Sequence, residues 1–398
     1  MQPHFTMAIL HSITQYLEAL ESAPLYMRTL SDLIPCRRAD GALCYSVGNS
    51  AVLFRVEYHG EIYSLKCYLK RSSADLEAIY GDSFRREEIF LSKGTGGGEW
   101  VDALLLPYVE GRSLDVVIEE FARRGDRDSL IKLSRVFDDL AREMVTDDWA
   151  HGDLKPENII VTENLELQLI DFDAAFKPGL LGRYSPELGT PAFRHPQRRK
   201  EDFDRWLDHY SAALISVQLR AIALDPTLLD MECIGDGILF AGEEIFGFNR
   251  LTDDDIDSEQ YYRLKGRFLK IEELFKLHLQ PRHYRLMRLL YDAPLRSQPI
   301  ERMMSFRDAE WCPEPEFFME WGLCGYLSGD ETAIPPLFDE AFDFVDGAAV
   351  VRLGEYWHVI DRACCSLWVR GGCIAVKLSD RGRVSWYDGS EWHAEQIK

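Results

Sequence analysis

The segment that most constrains this chain is residues 151–173, HGDLKPENIIVTENLELQLIDFD. Two short apolar runs, NIIVT and LELQLIDF, are divided by polar turn residues, a pattern that predicts a β-hairpin. A hairpin reverses the chain, so it brings Asn158 and Asp171 to one point. Both offer hard oxygen donors suited to Mg²⁺. Asp153 lies in the preceding loop and could orient a hydroxyl, and Lys155 could reach a phosphoryl group. Phosphoryl transfer asks for such parts: metal ligands, a carboxylate beside the attacking hydroxyl and a cation near the phosphates. Asp173 closes the segment and leaves two readings open: a third carboxylate near the metals that tunes their affinity, or, favoured, a solvated residue capping a short turn, a position that suits Asp.

The rest of the sequence is read around this segment. A length of 398 residues predicts two or three domains. Residues 1–30 carry Ile9, Ile13, Leu17 and Leu20 at helical spacing and predict an amphipathic helix, not a signal peptide. LCYSV (43–47), AVLFRVEYH (51–59), EIYSLKCYLK (61–70) and VDALLLPYV (101–109) predict strands of a β-rich region over 31–108. Residues 73–93 read as one or two helical pieces, and KGTGGGEW (93–100) as a flexible loop. Apolar spacing changes to three and four residues from about 111, which predicts a helical region over 109–300. Its first helix starts at the capping residue Ser113, and further helices fall at 205–224 and 260–280. After a linker at 301–322, residues 323–398 predict a separate β-rich module, because VDGAAVVRL (345–353) and RGGCIAVKL (370–378) look alike.

Composition excludes some functions. A net charge of −22 argues against a nucleic-acid face and against adhesion to anionic membranes. No apolar run approaches the roughly 20 residues that span a bilayer. Nine cysteines, none in a CxxC pair, predict buried reduced thiols in a cytoplasmic protein.

HGDLKPENII resembles the catalytic loop of the eukaryotic-type serine/threonine protein kinases, and IDFD resembles their metal-binding DFG turn. GTPAFRHPQ (189–197) and DHYSAALIS (208–216) are similar to the end of their activation segment and the helix start that follows. Order and spacing agree over about 60 residues. The resemblance implies an α+β, two-lobe fold and an enzyme using ATP and Mg²⁺ to phosphorylate a serine or threonine of a protein. It implies that Asp153 orients the hydroxyl, Lys155 stabilises the phosphoryl group, and Asn158 and Asp171 hold metal. Lys66, in YSLKCY, would hold the α- and β-phosphates, anchored by a helical glutamate, Glu87 in preference to Glu88. Gly48 would lie in the phosphate-cradling loop, and the Pro107 carbonyl and Val109 amide would bond adenine, with Leu106 as gatekeeper. Thr190 would sit near Asp153 and Lys155, and Asp208 would tie down the catalytic loop.

The sequence departs from that family at several places. The cradling loop, Gly48-Asn49-Ser50-Ala51-Val52, has one glycine; Gly152 stands where the family has arginine, Asp173 where it has glycine, and Gln197 where it has glutamate. Without a cation at 152, the site is expected to assemble without phosphorylation of Tyr184, Ser185 or Thr190. Two other functions fit part of the pattern: a pseudokinase scaffold, favoured by the reduced glycine loop, and a small-molecule kinase of the aminoglycoside or choline type, favoured by HGD. Residues 325–361 resemble the WG-repeat family, and 362–398 a degenerate further copy, which implies a binding or packing module, not chemistry, that could take a protein partner.

Overall fold

The computed structural model describes residues 11–93, 96–230, 238–242, 244, 258–292, 315–320, 322–329, 331–362, 364, 366–379 and 382–397. Helix α1 (Ile13–Glu21) starts where Ser12 and Gln15 cap each other reciprocally. Ile9, expected on the same helix, lies outside the described residues. A short helix α2 (Ala23–Tyr26) follows, then β1 (Ile34–Pro35), β2 (Tyr45–Val47), β3 (Ala51–Tyr58) and β4 (Glu61–Tyr68). Alternation decides which way β3 faces: Val52, Phe54 and Val56 are all buried. His59 and Gly60, both with positive φ, turn β3 into β4. Strands β5 (Phe84–Lys93) and β6 (Gly97–Pro107) complete a sheet ordered β1-β3-β4-β6-β5, with β2 also on β3. Helix α1 is not a separate piece: Tyr16 and Leu20 share one core with Phe54, Leu65, Ile89 and Leu91.

Residues 73–93 correct the expectation of helices. Only α3 (Leu76–Tyr80) and one turn after it are helical, and the rest is β5. FRREEIF has helix-compatible residues, but Ile89 and Leu91 are fully buried at a spacing of two while paired to Val101 and Glu99 of β6. Burial on a paired strand overrides local preference here. Strand β6 also begins at Gly97, inside the stretch expected as a loop.

Beyond β6 a two-residue strand β7 (Arg112–Ser113) leads into α4 (Leu114–Arg123) and α5 (Arg127–Thr146). Ser113 has extended backbone at the cap position, but its side chain makes no capping bond; Asp126 does cap α5. Helix α6 (His209–Leu224) is buried on nearly every face and is the axis of the helical region. Helices α7 (Ser258–Leu277) and α8 (Pro281–Asp292) pack into the same core as α4, α5 and α6. Asp138 of α5 lies 3.1 Å from His283 of α8 and 3.6 Å from Arg220 of α6, so one buried carboxylate ties three helices.

The tail is entirely β among the described residues. Strands β10 (Glu316–Glu320), β11 (Leu323–Ser328) and β12 (Glu331–Phe338) form one sheet, so pairing starts inside the segment expected as linker. Strands β13 (Glu340–Ala341), β14 (Ala348–Leu353), β15 (Tyr356–Asp361) and β16 (Ser366–Gly371) form a second, and β17 (Ala375–Ser379), β18 (Arg383–Tyr387) and β19 (Trp392–Gln396) a third. The two similar sequence segments fall on β14, second in its four-strand antiparallel sheet, and on β17, first in its three-strand antiparallel sheet. Leu279, just past α7, is buried in the core of the tail. Among the described residues no helix is long and apolar enough to cross a membrane, and the six described cysteines are free thiols.

Candidate active site

The hairpin read from residues 159–170 is present as β8 (Ile159–Val161) and β9 (Leu167–Leu169). At its open end the Ile170 amide donates to the Asn158 carbonyl at 3.0 Å, so Asn158 and Asp171 are held side by side. Asp171 has left-handed backbone, φ +67°, at the entrance to a tight turn over Phe172–Ala174. Such a conformation costs a non-glycine residue about 1–2 kcal/mol, and Asp tolerates it better than most.

Asp153 is held on several sides. Its Oδ1 accepts from the Thr190 amide at 2.6 Å, and the Asn158 side-chain amide donates to the Asp153 carbonyl at 2.9 Å. Lys155 Nζ donates to Thr190 Oγ1 at 3.0 Å and lies 3.6 Å from Asp153 Oδ2. The Asp153 amide donates to His151 Nδ1 at 3.3 Å, while His151 Nε2 is 2.7 Å from the Ile170 carbonyl. A ring that accepts at Nδ1 must donate at Nε2, so this network fixes the Nε2–H tautomer and joins the loop to Ile170, next to Asp171. Buried Asp208 accepts from the His151 and Gly152 amides. Asp153, Lys155, Asn158, Asp171, Thr190 and Asp208 are thus brought together.

Lys66, on β4, is 4% exposed and contacts Asp171 and, at 2.8 Å, Asp173. Burial pulls its ammonium down, but Asp171 and Asp173 more than offset this, so it is held above the usual lysine value. Asp173 is itself buried and accepts from Tyr68 Oη at 3.0 Å and Tyr80 Oη at 2.7 Å. The solvated turn residue expected from sequence is therefore corrected: Asp173 is an interior carboxylate with three donors.

Neither glutamate expected beside Lys66 reaches it. Glu87 is an exposed bulge residue of β5, φ +47°, paired with Arg28 at 3.2 Å. Glu88 is buried but faces away, accepting from the Thr29 and Leu30 amides at 2.7 and 2.8 Å and from Thr29 Oγ1 at 2.6 Å. The reason is the strand: β5 sends these two neighbouring side chains to different partners, Glu87 outward to Arg28 and Glu88 to the α2–β1 connection, and neither toward Lys66.

The remaining expected residues lie on the sheet. Gly48 closes the β2–β3 turn, its amide donating to the Ala51 carbonyl at 2.9 Å. Pro107 faces Tyr63 as a non-bonded pair, because the flanking bond runs from the Tyr108 amide to the Ile62 carbonyl at 3.3 Å. The Pro107 carbonyl is thereby turned away from β4. Among the described residues no protein group accepts from the Val109 amide.

Glu187 escaped the sequence reading, and Arg198 entered it only as one of three arginines, with Arg183 and Arg194, able to stand in for a cation at 152. Arg198 donates to the Gly152 carbonyl at 2.6 Å, to Ser185 Oγ at 3.0 Å and to the Glu187 carbonyl at 3.3 Å, bracing the catalytic loop against residues 185–187. Burial, with Asp173, Asp153 and Asp171 nearby, pushes the Glu187 carboxyl above its usual value. An arginine directly after the activation segment was the one available signal.

The donor set fits a hard divalent cation. Asn158 uses its amide nitrogen on Asp153, and among the described residues nothing donates to its Oδ1. Asp171 is half exposed and gives one oxygen to Lys66, leaving the other available. A groove of about 1080 Å³ elsewhere, lined by Lys70, Asp75, Phe84, Trp100, Arg183 and Phe203, contains none of these catalytic candidates.

No protein-family profile matches the chain. Among curated proteins it is 27% identical over 99 residues to a mitogen-activated protein kinase kinase, MKK2, of Pyricularia oryzae, covering 24% of this chain and 19% of that one. It is 26% identical over 112 residues to mkk2 of Aspergillus fumigatus, covering 27% and 22%, and 27% identical over 99 residues to mkk1 of Cytospora mali, covering 24% and 19%. The chain spans about a fifth of the length of these relatives. The similarity supports a protein-kinase-like relationship.

Proposed function

We propose that this chain is a protein-kinase-like phosphotransferase that moves the γ-phosphoryl group of ATP, with Mg²⁺, to a serine or threonine hydroxyl of a protein. The observation that carries the reading is the Asp153–Thr190–Lys155 arrangement abutting the Asn158–Asp171 pair. Asp153 accepts the hydroxyl proton as the new O–P bond forms and the bond to ADP breaks. Thr190 and Asn158 hold the Asp153 side chain and backbone in place for that transfer. Lys155, carried on the same loop, supplies positive charge beside the phosphoryl oxygens. Lys66 supplies it to the α- and β-phosphates, and Gly48, Pro107 and Val109 offer backbone groups to the nucleotide. Mg²⁺, held by Asn158 and Asp171, would neutralise charge on the phosphates. The Lys155–Thr190 bond favours a peptide-binding platform over a small-molecule kinase.

One observation favours a pseudokinase scaffold as the second reading: Lys66 contacts Asp171 directly, so lysine and metal compete for that carboxylate. The strand runs β14–β16 and β17–β19 support reading the tail as WG-repeat-like, a surface for a protein partner of a cytoplasmic enzyme. Mg²⁺-dependent ATP turnover, measured with and without a generic protein substrate, tests the proposal. Asp153→Asn should lower turnover about 10²–10⁴-fold with nucleotide still bound. Wild-type protein that binds nucleotide equally with and without Mg²⁺ and turns none over would establish the scaffold instead.

A further inference from the structure

We propose that Asp173 is the residue that positions Lys66 for the nucleotide, taking the place of a helical glutamate. This rests on the phosphotransferase reading above. A buried ammonium must be paired, and among the described residues before β6 no carboxylate pairs with it. Glu87 is on the surface with Arg28, and Glu88 is consumed by three donors around Thr29 and Leu30. Asp173 is buried, 2.8 Å from Lys66 Nζ through Oδ2, and its Oδ1 is fixed by the phenols of Tyr68 and Tyr80. Both oxygens are satisfied, so the carboxylate is rigid where it meets the lysine.

Asp171 also contacts Lys66, but the two aspartates differ in burial. The Asp171 side chain is 48% exposed at the cleft, whereas that of Asp173 is 10% exposed behind it. When Asp171 serves a cation, Asp173 still holds the lysine. Because Asp173 is two residues beyond Asp171 on one turn, the lysine anchor and the metal turn form a single unit. Helix α3 is tied to that unit through Tyr80 and through Lys177, which donates to the Ile79 carbonyl. Assembly of the lysine site therefore does not wait on a helix swinging inward, as it would if the anchor came from α3.

The test is a double-substitution cycle on the full-length chain. Affinity for a fluorescent ATP analogue is measured in EDTA, so that metal plays no part, for wild type, Asp173→Asn, Lys66→Met and the pair. Asp173→Asn should weaken binding on the order of 10-fold, the size expected when a charged hydrogen bond is lost. In the Lys66→Met background it should change affinity less than twofold. Glu87→Gln should leave affinity unchanged. If Asp173→Asn does not fold, Tyr80→Phe loosens the same carboxylate without altering charge, and should weaken binding severalfold only when Lys66 is present. Additive losses in the cycle, or wild-type affinity in Asp173→Asn, would overturn the assignment. Wild-type protein without nucleotide affinity both in EDTA and in Mg²⁺ would overturn the phosphotransferase reading itself. The same cycle read by thermal unfolding of the ligand-free protein then decides the anchor: coupled shifts uphold it and additive shifts refute it.

Discussion

Gly152 stands where related catalytic loops carry arginine, and the reason can be tested by adding a single methyl group. Gly152 has φ +80°, and a Cβ there would lie 2.1 Å from the Ala174 carbonyl oxygen and 2.8 Å from its carbon. Gly41 is a matched control, with φ +85° and nothing within 4 Å of its Cβ position. Left-handed backbone costs alanine about 1–2 kcal/mol at both sites. At Gly152 the loop and the turn must also part by about 1 Å to reach normal contact. They are pinned by the paired Ala150–Phe176 bonds of 3.0 and 2.8 Å, by Asp208 on the Gly152 amide and by Arg198 on its carbonyl. Losing one or two of these adds about 1 kcal/mol each. Gly152→Ala should therefore cost about 2–4 kcal/mol in urea unfolding, about 1–2 more than Gly41→Ala. Equal costs would refute the steric argument, and Gly152→Arg would then be a candidate repair.

Three further outcomes are expected. Glu88→Ala leaves the Thr29 and Leu30 amides without their acceptor and should cost about 2–4 kcal/mol in urea unfolding, while Glu87→Ala, which removes only an exposed pair, should cost under about 1 kcal/mol; nucleotide affinity should follow neither. His358, buried on β15, has its value lowered by burial from 6.5 to about 4, so the folded state takes its proton later than the unfolded one. Stability should then fall as pH drops from 6.5 towards 4, by about 3 kcal/mol, and His358→Gln should flatten that part of the curve; an unchanged slope would refute it. Phosphatase-treated wild type should keep full turnover, and Arg198→Met should lose about tenfold, roughly one charged hydrogen-bond contribution; a requirement for phosphate on Tyr184, Ser185 or Thr190 would show that Arg198 is not the brace.

The parts legible in the sequence were those set by local chemistry. The β8–β9 hairpin follows from apolar runs divided by turn residues, and α4, α5 and α6 follow from apolar spacing. Asn158 and Asp171 converge because that hairpin leaves no other arrangement of its ends, and Asp153 joins them through the Asn158 amide and the Thr190 amide. What was misread depends on distant partners. FRREEIF becomes a strand through pairing with β6, and no local feature of the window announces it. Glu88 is claimed by Thr29 and Leu30, nearly 60 residues earlier. Asp173 turns inward because Tyr68, Tyr80 and Lys66 await it, about 100 residues away along the chain.

The departures at 152 and 173 are also physically joined. The atom that fills the space beside Gly152 is the carbonyl of Ala174, the residue directly after Asp173. A side chain at 152 would push that turn outward and move the Asp173 carboxylate away from Lys66 and Tyr80. The missing arginine and the added carboxylate are then one change: glycine lets the turn approach, and the approach seats Asp173 in the interior. A positive charge reaches the loop instead from Arg198, which donates to the Gly152 carbonyl. On this account Gly152→Ala does more than destabilise the fold. It should also weaken nucleotide binding in EDTA by loosening the Lys66–Asp173 pair, and that second loss should vanish in a Lys66→Met background, where there is no ammonium left to position.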